Sequence, residues 1–311
     1  MEAVRRSDAE TPDGPCPRQL FRGWTRRAFL AGAAATFARP GRSAAEAPAR
    51  IVSMDYALTE ILFSLDVPVA GLAEREGWQE WVVEPALPAE IVDVGLPQAP
   101  NLELISELRP DLILTTPWLD PVLSSLQRVA PTLRVSIYEE GATPFARSYD
   151  ATRLLGERLG RPDRAARFIA EADREFDAIA ARMRRLAPPP LLLVNFVDAR
   201  HVRVYGGDGL YQSVLDRIGL KNAFQGEANY WGFATVGVEN LAASPGARLI
   251  AFEPIPPDAL PTLARSPIWR ELPFVRDGRM STLPPVLTFG AMLSSLRCAR
   301  LLADELERVA T

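Results

Sequence analysis

Between Ala165 and Leu186, apolar residues recur at Ala166, Ile169, Ala170, Phe176, Ile179, Ala180 and Met183. That spacing predicts one amphipathic helix of about 22 residues, about 33 Å long. Arg161-Pro162-Asp163 precedes it, with Asp163 in position to cap the helix, and Pro188-Pro189-Pro190 stops it. No Gly/Ser linker lies on either side. A stiff helix is therefore expected to join whatever folds before it to whatever folds after it.

Both flanks alternate strand-like and helix-like runs. Before the helix, Ile51-Val52-Ser53, Val69–Leu72, Ile91–Gly95, Asp111–Thr115 and Arg134–Ile137 read as strands. Leu58-x-x-Ile61-Leu62-x-x-Leu65, a segment capped by Asn101, and Ser124–Ala130 read as helices. After the helix, Leu191–Val194 and Arg248–Phe252 read as strands. Leu210–Ile218 and about Ala291 to Val309 read as helices. The predicted fold class is α/β: two α/β lobes with mostly parallel sheets joined by one long backbone helix. The expected organisation is 48–143 for the N-terminal lobe, 144–187 for the helical connection and 188–311 for the C-terminal lobe.

Residues 1–47 read as a twin-arginine signal peptide. Arg26-Arg27 precedes an apolar run of about 11 residues, too short for a bilayer, which needs about 20. Small residues at Ala44, Ala45 and Ala47 suit a signal peptidase. The mature protein is expected to begin near Pro48 and to work in the periplasm.

Setting aside the 8 basic and 5 acidic residues of that segment leaves 27 basic against 34 acidic, a net charge of −7. That argues against nucleic acid or an anionic membrane as a partner. Cys16 falls in the signal segment, so Cys298 has no partner for an internal disulfide; its apolar helical setting reads as a buried thiol. His201 is the one histidine, between strand-like runs in Asp198-Ala199-Arg200-His201, and reads as a turn or surface residue. No histidine-based metal site or catalytic triad can be assembled, and no nucleophile elbow or phosphate loop follows a strand. Tyr205-Gly206-Gly207-Asp208-Gly209 lacks a phosphate-loop lysine and reads as a tight turn before a helix. Catalytic residues, metal ligands and cofactors are all expected to be none.

The chemistry that remains is aromatic. Trp78, Trp81, Trp118, Tyr230, Trp231 and Phe233 fall in loop-like stretches of both halves. Aromatic walls suit bulky, partly apolar ligands, which in α/β sheets sit beyond the carboxyl ends of strands.

These features resemble the FhuD-type periplasmic iron(III)-hydroxamate siderophore-binding proteins, within the helical-backbone class of ABC-importer binding proteins. The resemblance rests on Trp81-Val-Val-Glu-Pro-Ala-Leu-Pro, Asp93-Val-Gly-Leu, Pro100-Asn-Leu-Glu-Leu and Arg109-Pro-Asp-Leu. It continues through Tyr205-Gly-Gly-Asp-Gly-Leu-Tyr-Gln-Ser, Gly226-Glu-Ala-Asn-Tyr-Trp-Gly, Ile268-Trp-Arg-Glu-Leu-Pro and Phe289-Gly-Ala-Met-Leu-Ser. It implies a monomer that binds a ferric siderophore between its lobes and hands it to an ABC importer permease. Trp81, Trp118, Tyr230, Trp231, Phe233, Leu287 and Phe289 would line the cleft, the siderophore's own oxygens would hold the iron, and Glu103 and Glu239 would meet the permease.

The chain departs from the family where an arginine follows Asp-Val-Gly-Leu. Pro97 stands there and offers no donor; Gln98 or Arg75 is a possible substitute. Leu287 and Phe289 replace a tryptophan and a tyrosine, which makes the cleft less polar. Another chelate, such as a corrinoid or haem, stays open as cargo. An exported α/β hydrolase is the distant alternative.

Overall fold

The structure is a computed structural model and describes residues 50–138 and 142–310. The twin-arginine segment, the start near Pro48 and Cys16 lie outside those residues.

The N-terminal half runs β1 (Ile51–Ser53), α1 (Tyr56–Ser64), β2 (Val69–Leu72), α2 (Trp78–Trp81), β3 (Val92–Asp93), β4 (Gly95–Leu96), β5 (Ala99–Pro100), α3 (Leu102–Leu108), β6 (Leu112–Thr115), α4 (Asp120–Gln127) and β7 (Thr132–Arg134). Its main sheet has the order β3-β2-β1-β6-β7, every pair parallel. Such a sheet needs cover on both faces, and apolar clusters form on each. Two helices follow, α5 (Pro144–Arg158) and α6 (Pro162–Leu186). The C-terminal half runs β8 (Leu191–Phe196), β9 (His201–Tyr205), α7 (Leu210–Ile218), β10 (Phe233–Gly237), β11 (Arg248–Phe252), α8 (Ala259–Leu263), α9 (Pro267–Glu271), α10 (Pro273–Arg276), β12 (Met280–Leu283) and α11 (Met292–Ala310). Its order is β10-β9-β8-β11-β12; β8, β11 and β12 are parallel, and β9 and β10 are antiparallel to their neighbours.

The spine is the 25-residue α6, about 37 Å long. Pro162 occupies its first turn, Arg161 is the cap residue, and no side chain caps it, so Asp163 is a first-turn acid and not the cap. Ala165 packs into the N-terminal cluster, close against Gly156 of α5, while Phe168 to Met183 pack into the C-terminal core with α7 and α11. Each large one of these, such as Phe176, Ile179 or Met183, contributes about 1.5–3 kcal/mol by leaving water. One helix thus has its first turn in one core and its remaining turns in the other.

Local chemistry sets several boundaries. Asn101 caps α3 by accepting from the Leu104 amide at 3.0 Å, and Arg109 ends it with φ +46° before Pro110. The strand expected over Ile91–Gly95 stops at Asp93. The Asp93 carboxylate accepts from the Gly95 amide at 2.8 Å, and Gly95 turns with φ +87° into the β4–β5 hairpin. The strand expected over Arg134–Ile137 lies at Thr132–Arg134; Val135 makes one more bond to Thr115 before the chain leaves the sheet. The helix expected over Ser124–Ala130 is Asp120–Gln127, started by Pro121 in its first turn.

Candidate ligand site between the two sheets

β1 ends at Ser53, and Asp55, two residues on, caps α1 by accepting from the Leu58 amide at 3.0 Å. The Trp118 indole, held on a single turn at Pro117–Leu119 just past β6, lies near enough to the same carboxylate to favour its charged form. Burial pushes the Asp55 carboxyl up from its ordinary range, and the amide and indole donors offset part of that. Trp118 stays 43% exposed. The buried hydroxyls of Thr115 and Thr116, at the same strand end, have no hydrogen-bond partner among the described residues, and neither does the buried Arg75 Nε past β2.

Trp78 and Trp81 stand three residues apart on α2 and have opposite fates. Trp78 is fully buried, edge-on to Tyr56 and Phe63, and donates to the Pro85 carbonyl at 2.8 Å. Trp81 is 41% exposed. A methyl group added at Gly77 would strike the Tyr56 hydroxyl and touch Trp81 Cδ1, so the two rings flank that glycine.

The Tyr230–Trp231 loop is built by its own sequence. Asn229 Oδ1 accepts from the Trp231 amide at 2.9 Å and the Phe233 amide at 3.3 Å. Gly232 turns with φ +80°, and its Cα presses against Gly209 so closely that neither position has room for a Cβ. The Gly-rich turn before α7 and the Asn-Tyr-Trp-Gly motif are therefore two halves of one contact. Because β9 runs antiparallel to β8, this loop meets the sheet at the end of β9 and the start of β10. The C-terminal half thus presents these aromatics by a route other than the carboxyl end of a parallel strand.

Four rings then meet. Tyr230 packs edge-on to Trp231 with centroids 4.9 Å apart, Trp231 on Phe289 at 5.5 Å, and Tyr138 on both Trp231 and Phe289 at 5.7 Å. Tyr138 comes from the N-terminal half, three residues beyond Val135, and donates to the Thr288 carbonyl at 2.7 Å. Burial first, then the nearby carboxylates of Asp55 and Glu60, push its hydroxyl well up. The sequence reading missed Tyr138. Its signal was the buried alternation Val135, Ile137 at the carboxyl end of a parallel strand.

The other expected lining residues are placed differently. Phe233 opens β10, packs on Tyr205 and carries the Arg203 guanidinium 5.1 Å from its ring centroid. Leu287 is 9% exposed and belongs to the N-terminal core cluster. Both present less surface than Trp231 (38%) or Phe289 (36%). Gln98 is exposed at the β4–β5 tip, next to Pro97, which is buried. Glu103 and Glu239 are exposed in the first turns of α3 and of the helical segment Val238–Ala243. His201 is exposed and paired with Asp198 at 3.0 Å, and Cys298 is buried. Among the described residues, no group of three or more His, Cys, Asp or Glu side chains is placed to hold a metal. No described helix is long and apolar enough to cross a membrane.

Two α/β lobes tied by a long helix, with aromatic side chains from both meeting in one group, define a binding protein of the helical-backbone class. The chain belongs to the periplasmic binding protein family, which it matches over residues 51–287. It is 33% identical over 260 residues to the iron(3+)-hydroxamate-binding protein FhuD of Escherichia coli K12, covering 84% of this chain and 88% of that one. It is similar to the crystal structure of the Fe3+–Desferal-bound siderophore-binding protein FhuD of Vibrio cholerae, with a TM-score of 0.79 and 25% identity, covering 84% and 99% of the two chains. The triscatecholate siderophore-binding protein FeuA of Bacillus subtilis shares the fold at a TM-score of 0.65 and 18% identity, covering 83% and 92%.

Proposed function

We propose that this protein captures a ferric siderophore of the hydroxamate type between its two lobes and delivers it to an ABC importer. The observation that carries the reading is the aromatic group of Tyr230, Trp231 and Phe289, all exposed, packed on the half-buried Tyr138 of the other half. Similarity to the hydroxamate-binding protein of E. coli over 84% of the chain supports the same ligand class. Iron is held by the siderophore's oxygens, so the protein needs neither cofactor nor metal ligands of its own, and it performs no chemistry on its cargo. It acts as a monomer in the periplasm after twin-arginine export. Glu103 and Glu239 offer the permease one carboxylate from each lobe.

Trp81 and Trp118 extend the apolar wall on the N-terminal side. The orphaned Arg75 Nε and the exposed Gln98 amide are the donors that stand in for the arginine absent at Pro97. That absence also keeps a second reading, in which the same wall takes a corrinoid or haem. A thermal-shift panel separates them: the melting temperature should rise with a ferric trihydroxamate and stay unchanged with cobalamin or haemin. A rise with cobalamin or haemin alone would transfer the site to the second reading.

A further inference from the structure

We propose that the N-terminal side of the cleft selects cargo by charge: it favours a ferric hydroxamate carrying a cationic amine over neutral or anionic chelates. The inference rests on the ferric-hydroxamate reading above.

The charge distribution is one-sided. From Asp55 to Asn101 the chain has nine carboxylates and a single cation, Arg75. Asp66 is paired with Arg164 and Glu84 with Arg297, and Glu60 is spent on the first turn of α11. Burial raises the Tyr56 hydroxyl, and the negative charges of Glu74, Asp93, Asp55 and Glu80 around it raise it further; its O–H donates to the Glu74 carbonyl. Among the described residues, none of these four carboxylates is paired with an arginine or lysine.

The aromatic surface and the carboxylates are contiguous. Trp81 Cδ1 and the Tyr56 hydroxyl approach the same point, where Gly77 lacks a Cβ, and the Trp118 indole lies near enough to Asp55 to favour its charged form. Indole faces attract a cation at their centres, and a carboxylate beside the ring adds to that attraction. The unpartnered hydroxyls of Thr115 and Thr116, 1% and 7% exposed, lie at the strand end that carries Trp118 and can accept from an N–H donor. On the other lobe, the turn 206–209 carries Asp208, the segment 226–232 carries Glu227, and the segment 284–291 has no charge. A ferric trihydroxamate core is neutral, since three hydroxamate anions balance Fe3+. Its peripheral substituents therefore decide its charge, and a pendant ammonium is the substituent this surface attracts.

The test uses one linear trihydroxamate in three forms, each loaded with Fe3+: with a free terminal amine, N-acetylated, and N-succinylated. The iron core is constant while the net charge passes from +1 through 0 to −1. Tryptophan quenching should rank affinity in that order, with about tenfold between the ends at low salt and less at high salt. The exposed pair Glu74→Gln and Glu80→Gln, introduced together, should leave the melting temperature near that of the parent and shrink the tenfold gap to about threefold or less. Equal affinities, a reversed order, or a gap unchanged in the double variant would overturn the charge selection while leaving ferric-hydroxamate binding intact. Failure of all three complexes to bind would overturn the underlying reading, and this inference with it.

Discussion

The Glu60 carboxylate accepts a hydrogen bond from the Ala291 amide at 2.8 Å, across 231 residues of chain. The Ser294 amide donates to it at 3.3 Å, and the Ser294 hydroxyl donates as well. A fully buried side chain of the N-terminal half thus caps the first turn of α11, two residues after Phe289. The helix N-terminus, with its free amides and partial positive charge, is what makes a buried carboxylate tolerable there.

Burial raises Glu60 from 4.5 to about 7, against the three donors that lower it. The folded state therefore binds this proton more tightly than the unfolded chain. The contribution of Glu60 to stability is fullest below about pH 4.5, falls as pH rises to about 7, and is level beyond. Asp55, also raised, adds in the same direction. The full shift is worth roughly 3 kcal/mol. Urea unfolding of the parent and of Glu60→Gln across this pH range should differ by this decline, present in the parent and absent from the variant. Identical pH profiles for the two proteins would contradict the assignment.

Gly232 has φ +80° and no room for a Cβ against Gly209. Gly232→Ala should cost about 2 kcal/mol or more in stability and should weaken ligand binding, because the same turn positions Trp231. Paired urea and quenching titrations check both, and an alanine variant of unchanged affinity would separate the loop from the site.

Trp231 and Trp78 make a matched pair for truncation. Trp231→Ala removes a ring 38% exposed and should alter stability by no more than about 1 kcal/mol while lowering affinity about 10- to 100-fold. Trp78→Ala empties a fully buried position and should cost about 3–5 kcal/mol in unfolding free energy. Denaturation curves and ligand titrations on both variants distinguish the roles.

Cys298 is buried and its thiol is pushed well up by burial alone. An aromatic disulfide reagent should leave it untouched in the native protein and label it within minutes in denaturant. Fast native labelling would contradict its position in the C-terminal core.

Much of the framework was legible because periodicity reports burial directly. The apolar run of β8, the bounds of α7, the Asn101 cap and five residues of the α6 stripe follow from local spacing and side-chain chemistry, whereas Ala166 and Ala170 of that stripe are exposed and Ala165, Phe168 and Ala172 are buried instead. What stayed hidden depends on a second element arriving. Glu60 is two residues from Leu58, on the opposite side of α1 from the apolar stripe, and only the packing of α11 there buries it. Trp78 and Trp81 share one helical turn, and nothing local says which ring meets Phe63 and which meets water. The reversed direction of β9, which moves the Tyr230–Trp231 loop to the start of β10, depends on strand pairing and leaves no mark in the pattern. Tyr138 had a signal, the strand end, but lay beyond the last apolar residue of its run.

The aromatics that meet between the two halves are proposed to receive a ferric hydroxamate. The most direct test is a tryptophan-quenching titration of the mature protein with a ferric trihydroxamate, run beside the same molecule without iron. One-to-one saturable quenching by the ferric form, strongly reduced in Trp231→Ala and much weaker for the iron-free ligand, is the predicted result. No saturable response to the ferric form, or an equal response to both forms, would rule out a ferric-hydroxamate site at these aromatics.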